Sequence, residues 1–192
     1  MKCLLCEKYS LTQHICKNCQ TQFLQPSLYK RKLSNGIEVI SFYRYEDIKK
    51  LLFTKHTDIG YHIYTLLAKL SFKKFAQEFH FGEQVASVGI DDTTRSGYSH
   101  TAVLNRALKS TDIKALYGTL RATNSINYSG ESRAFREENP RNFKLKNFRT
   151  KYVILVDDII TTGTTLSEAI IVLKEKEKEV IFCLTLCDVS LK

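Results

Sequence analysis

The 192-residue chain has no run of apolar residues long enough to span a bilayer, so no membrane insertion is expected. Its first residues, "MKCLLCEKYS", include a basic side chain but no sustained apolar stretch, so no signal peptide is expected and the cytoplasm is the expected compartment. No Ser/His/Asp or Cys/His arrangement marks a protein nucleophile, and no pocket signature for a nucleobase is recognisable. What remains is ordinary for a globular protein, with 43% hydrophobic and 26% charged residues. The length suits one α/β domain with a small appendage.

The net charge of +9 is uneven. Residues 1–35 hold six Lys/Arg against one acid, and residues 121–151 hold eight against three. From residue 152 onward the balance reverses, with four Lys against seven acids. Two basic regions around a neutral body suit a polyanion partner, although a merely basic surface explains the charge equally well.

The six cysteines divide into two sets. Cys3, Cys6, Cys16 and Cys19 are spaced C-x2-C, nine residues, C-x2-C. Two such turns aim four thiolates at one point, the tetrahedral donor set of structural zinc. A disulfide framework is the competing reading and is disfavoured in a cytosolic chain. No thioredoxin-type βαβ unit lies nearby, and His14 reads as a surface residue, with substitution for one thiolate as the alternative. Cys183 and Cys187 lie in "VIFCLTLCDV", a strand pattern that buries them.

The most informative stretch is "VILVDDIITTGTT", residues 153–165. Val153, Ile154, Leu155 and Val156 form a continuous aliphatic block, as in a strand covered on both faces. Asp157 and Asp158 follow where that strand would reach its carboxyl end, the edge at which open α/β sheets bind ligands. Thr161, Thr162, Gly163, Thr164 and Thr165 then lead into a helix with Leu166, Ile170 and Leu173 on one stripe. A loop of amides and hydroxyls opening a helix cradles an anion, whereas carboxylates repel one. Both together suit a sugar phosphate.

Elsewhere, residues 1–24 read as a metal knuckle and "QPSLYKRK" (25–32) as a basic connection. Residues 37–47 alternate as a strand, 46–56 form a helix with Ile48, Leu51 and Leu52 inward, and 59–79 form one longer helix. A strand over 84–90 enters a polar loop, residues 91–99, before a helix over 100–109. That loop repeats the anion-cradle logic with a cation added. Residues 113–123 suit a strand, while 124–150 carry four arginines and lack apolar periodicity, which marks a functional or disordered segment. Strands alternating with helices give an α/β fold with a mainly parallel sheet.

Residues 153–165 resemble the motif with which type I phosphoribosyltransferases bind phosphoribosyl pyrophosphate (PRPP). The resemblance implies that Asp157 and Asp158 engage the ribose 2- and 3-hydroxyls. It likewise makes Thr161, Thr162, Gly163, Thr164 and Thr165 the loop that holds the 5-phosphate. The order of four-Cys knuckle, "YRYEDIKKLLFTKH", Gly-aromatic loop, Ser/Arg/Asn-rich segment and PRPP motif is similar to the ComF family over nearly the whole chain. That family is implicated in DNA uptake during natural transformation. The likeness implies three parts: a zinc finger over 1–24, a linker over 25–35 and a phosphoribosyltransferase-like domain over 36–192.

"RSGYSHTAVLNRAL" matches the family's Arg-Gly-Phe-Asn-Gln loop, with Gly97 and Tyr98 as its Gly-aromatic pair. Ser96 stands where the family has Arg, Ser99 and His100 stand for its Asn-Gln, and Arg95 is placed to supply the cation. This is the expected pyrophosphate loop, and Asp91 and Asp92 within it call for Mg²⁺ beside the ligand. "SRAFREENPRNF" matches a further family segment, with its Arg at Arg136 and its Asn at Asn139. Arg121, Arg133 and Arg136 are the expected cations of a segment that closes over the ligand.

Three functions fit: a PRPP-binding protein acting on or beside incoming single-stranded DNA, a salvage phosphoribosyltransferase, or a non-catalytic adaptor that responds to PRPP. Knuckle and charge favour the first or third, with partners in the DNA-uptake machinery. For DNA, Phe23, Tyr29, Tyr128, Phe135, Phe143 and Phe148 interleave with the basic residues as expected stacking platforms.

Overall fold

A computed structural model describes residues 2–11, 14–91, 97–124, 139 and 141–191, with only the backbone described at Asp91. After the knuckle and a short helix α1 (Lys17–Phe23) come β1 (Tyr29–Lys32), β2 (Glu38–Arg44) and α2 (Tyr45–Leu52). A 3-10 turn (Phe53–His56) leads to α3 (Asp58–Leu70) and α4 (Phe72–Glu78). Then follow β3 (Val85–Asp91), α5 (His100–Ala107), β4 (Ile113–Ala122), β5 (Phe143–Leu145), β6 (Tyr152–Ile160), α6 (Thr164–Glu175) and β7 (Glu179–Asp188).

The strands form one sheet in the order β1-β2-β7-β6-β3-β4-β5. The five central strands are parallel, and β1 and β5 add to the two edges antiparallel. The expected α/β fold with a mainly parallel sheet is borne out. Strand β6 is central, and Val153, Ile154, Leu155 and Val156 are fully buried because helices cover both faces. One face packs against α2, α3, α4 and α5, with Ile48, Ile63, Leu67, Phe72 and Leu104 in its core. The knuckle's Ile15, Cys19 and Leu24 belong to that same core. The other face packs against α6 through Leu166, Ala169, Ile170 and Leu173.

Connectivity places the site. After β3 the chain crosses through α5 to β4 on one side; after β6 it crosses through α6 to β7 on the other. Strands β3 and β6 are neighbours, so their carboxyl ends flank the point where the winding reverses. In open parallel sheets that crevice is the ligand site.

Three expectations are corrected. The helix over 59–79 breaks at Ser71, whose backbone (φ −113°, ψ −79°) leaves the helix while its hydroxyl donates to Leu67 O at 2.6 Å. The basic connection contains β1, whose four residues pair with β2. Its three consecutive cations sit well on an edge, where lysine and arginine discourage further pairing. Within 124–150, Phe143–Leu145 pairs with the end of β4.

Candidate functional site

Adjacent residues of a strand point to opposite faces, so Asp157 and Asp158 leave β6 in different directions. Asp158 turns toward α3. It is 8% exposed, and its Oδ2 accepts the Tyr64 hydroxyl at 3.1 Å and lies 3.4 Å from Lys55 Nζ. Burial alone raises a carboxyl, but Lys55, His100 and the Tyr64 hydroxyl outweigh it and hold Asp158 below the usual carboxylate range. Asp158 is therefore a fixed anion. Asp157 is half-buried, and its Oδ1 accepts the Asp158 amide at 2.8 Å.

The loop after β6 ends at Gly163, whose left-handed backbone (φ +84°) directs the chain into α6. No side chain caps α6. The Thr164 amide leans on Thr162 Oγ1 at 3.4 Å, and the first-turn amides beyond it, which a helix cannot satisfy internally, are left for an external acceptor. Thr162 Oγ1 and Thr164 Oγ1 lie 2.9 Å apart at that terminus, adding hydroxyl donors beside the amides. Beneath the loop, a Cβ built on Gly163 would come within 2.4 Å of Leu33 Cδ2, so the leucine tip packs directly under the glycine, and the positive φ there favours glycine.

The second loop leaves β3, next to β6. Its far end is well anchored. Ser99 caps α5 by accepting the Ala102 amide at 3.2 Å, and Thr101 Oγ1 donates to Ile90 O at 2.8 Å. The Tyr98 hydroxyl donates to Lys55 O at 2.7 Å, and burial raises that phenol to about 12. Gly97 takes a left-handed φ of +78°. Rings of Tyr98 and Tyr64 both pack on His100, at 5.6 and 5.5 Å between centroids, so loop, helix and acid form one unit.

The four knuckle thiols lie within 4.8 Å of one another, and all four are free cysteines. Amides of Cys16 and Cys19 point at Cys3 Sγ and Cys16 Sγ, each at 3.4 Å. Such amides stabilise thiolates. Burial pushes the Cys3 thiol up, but backbone amides, that of Cys16 foremost, outweigh it and lower the thiol, whereas burial and the neighbouring sulfurs raise Cys19. Four sulfurs so close cannot all ionise without a cation among them. As a donor set they can hold one thiophilic metal ion. His14 lies apart in a ring contact with His62, 5.1 Å between centroids.

The sequence-selected residues distribute as follows. Asp157, Asp158 and residues 161–165 converge at one sheet edge. Gly97 lies at the neighbouring loop, and Asp91 pairs in register with Arg121, which brings Arg121 to the same edge. Asp92, Arg95, Ser96, Arg133 and Arg136 lie outside the described residues, as do Tyr128 and Phe135. Two expected stacking platforms are withdrawn: Phe143 is 8% exposed in the core, and Phe148 is covered by Lys178, its Nζ 4.6 Å from the ring centre. Phe23 remains exposed, while Tyr29 is half-buried in β1. Lys55, Tyr64 and Arg31 escaped the sequence reading, because each meets its partner from a distant segment with no local motif.

Residues 46–191 match the phosphoribosyl transferase domain. The chain belongs to that family. A hypoxanthine phosphoribosyltransferase from Staphylococcus aureus is 17% identical, with a TM-score of 0.41 over 67% of this chain and 64% of that one. This chain thus spans slightly under two thirds of that protein's length. An orotate phosphoribosyltransferase from Aeropyrum pernix is 16% identical over 89% of this chain and 80% of its own, at a TM-score of 0.39. An adenine phosphoribosyltransferase is 14% identical over 89% of both chains, at 0.40. No curated protein matches the sequence.

Proposed function

We propose that the protein binds PRPP at the β3/β6 crevice and acts in DNA uptake. The observation that carries the ligand assignment is the uncapped α6 terminus, with its threonine hydroxyls, directly beyond two carboxylates at the winding reversal. Amides and hydroxyls of residues 161–165 receive the 5-phosphate, and Asp157 accepts from a ribose hydroxyl. Asp158 keeps its charge through Lys55 and Tyr64 and accepts from the neighbouring hydroxyl.

The pyrophosphate side falls to the loop over 91–97 and to Arg121. Mg²⁺, held with the pyrophosphate near Asp91 and Asp92, would supply charge neutralisation as the leaving group departs. The chain's own part is to hold the sugar, keep donors on the departing oxygens and shield the anomeric carbon. No protein nucleophile is required.

The four close thiols of Cys3, Cys6, Cys16 and Cys19, a donor set suited to zinc, together with the order of motifs along the chain, support the ComF reading. The basic regions support single-stranded DNA as the polyanion. The adaptor reading has its own support, because the knuckle exposes Leu4, Tyr9 and Leu11, apolar surface suited to a protein of the uptake machinery. A salvage enzyme would instead turn over a free base.

Pyrophosphate release from Mg-PRPP, assayed across free bases, nucleosides and single-stranded DNA, separates the three. Release with DNA supports the proposal; release with one free base alone replaces it with salvage. PRPP binding with no release on any acceptor selects the adaptor.

A further inference from the structure

The residues between the knuckle and β2 bear directly on the phosphate loop. Arg31, in edge strand β1, donates from Nη2 to Thr161 O at 2.6 Å. Its Nε lies 3.1 Å from Asp188 Oδ2 at the end of β7, and its Nη1 donates to Ser190 Oγ at 3.2 Å. Asp188 is only 2% exposed, and its other oxygen accepts both the amide and the hydroxyl of Ser190 at 2.8 Å. The Val189 amide donates to Ile160 O at 3.0 Å, closing the connection back to β6. Two residues further along, Leu33 fills the space beneath Gly163. One short segment therefore holds the loop at its first residue and at its last.

We infer that Arg31 is a positioning residue for the phosphate loop, so that β1 and its link to the knuckle set the affinity for the phosphate end of the ligand. This rests on the PRPP reading above. The physical reason is the direction of peptide dipoles. A phosphate is bound by donors, and a loop carbonyl turned toward it repels it. The guanidinium captures the Thr161 carbonyl on the β1 side of the loop, which favours amides and hydroxyls on the ligand side. Arg31 and Asp188 neutralise each other, so the contribution is geometric rather than a charge drawing the anion in. Arginine suits the task because one rigid fork reaches the carboxylate, the carbonyl and the hydroxyl together, which a lysine ammonium cannot do.

The test uses the full-length, metal-replete protein and two separate probes, ribose 5-phosphate and Mg-pyrophosphate. Arg31→Lys keeps the charge beside Asp188 but loses the fork. A double variant, Arg31→Gln with Asp188→Asn, removes both charges and leaves no unpaired buried carboxylate. Both should bind ribose 5-phosphate roughly tenfold more weakly, as for loss of a contact that orders several donors at once, with pyrophosphate affinity unchanged. Should the double variant fail to fold, Arg31→Lys decides alone.

Wild-type affinity for ribose 5-phosphate in Arg31→Lys, while Thr164→Ala weakens it, overturns the role of Arg31 and leaves the site standing. Equal loss of both probes also overturns it, since that marks general damage. If wild-type protein and Thr164→Ala bind ribose 5-phosphate alike, or neither binds, the PRPP reading itself fails.

Discussion

The Tyr64 hydroxyl, on α3, donates to Asp158 Oδ2 across 3.1 Å, joining a helix of the sheet's outer layer to the acid pair at the sheet edge. Both residues are buried, and burial together with the Asp158 charge raises the Tyr64 phenol well above its usual value. Asp158 moves the opposite way. A carboxyl depressed on folding adds stability that is present above its unfolded value, about 3.9, and is lost as pH falls through the folded one. Tyr64→Phe should shrink this contribution at neutral pH and move acid unfolding to higher pH, costing roughly 1.5–3 kcal/mol for a hydrogen bond to a charged group. Unfolding monitored from pH 2 to 7 checks it. Identical pH profiles would show that the contact is idle.

Gly163→Ala should destabilise the protein by about 1–3 kcal/mol, because the residue must keep a positive φ. It also meets Leu33, whose Cδ2 would stand 2.4 Å from the new carbon. Pairing it with Leu33→Ala should relieve the clash but not the backbone strain, so thermal unfolding should show only partial recovery. Full recovery would mean that contact alone requires glycine.

Purified, reduced protein should carry one zinc. Chelation should unfold the knuckle, since ligation supplies the folding energy of so small a unit. The α/β body should stay folded at reduced stability, because Ile15 and Leu24 are fully buried in its core. Elemental analysis and a chelator titration followed by circular dichroism measure both. Metal-free reduced protein with an ordered knuckle would contradict the assignment.

Single-stranded DNA should bind with an affinity that falls steeply with salt, each neutralised phosphate adding about 0.7 to the log–log slope. Saturating Mg-PRPP should weaken but not abolish binding, by competing for residues 121–151 while leaving the lysines of 1–35 free to act. Anisotropy at two salt concentrations, with and without Mg-PRPP, reads this out. No binding at low salt would remove the direct DNA role and favour the adaptor.

What the sequence disclosed was local. Residues 153–156 announced a strand buried on both faces because nothing in them compromises with water, and Leu166, Ile170 and Leu173 pack as their spacing requires. The acids and the Thr/Gly loop were legible because strand, edge and helix start follow one another in the chain. The contacts that set the state of those residues were not. Lys55 and Tyr64 reach Asp158 from 103 and 94 residues away, and Arg31 reaches Thr161 from 130. Such pairs exist only once the sheet order is known. Strand β1 was hidden for another reason: on an edge, charge outweighs apolar alternation, and the segment read as a connection.

The central claim is tested most directly by calorimetric titration of Mg-PRPP into the wild-type protein, Asp157→Ala and Thr164→Ala, with folding of each verified by thermal unfolding. Neither side chain is in the hydrophobic core, so both variants should fold. On the PRPP reading each removes one contact to the ligand, and the loss of a charge-assisted hydrogen bond weakens binding by roughly 1.5–3 kcal/mol, about tenfold or more. The account predicts saturable binding by the wild-type protein and that loss in both variants. Equal PRPP affinity in all three proteins, or none in any, would contradict it.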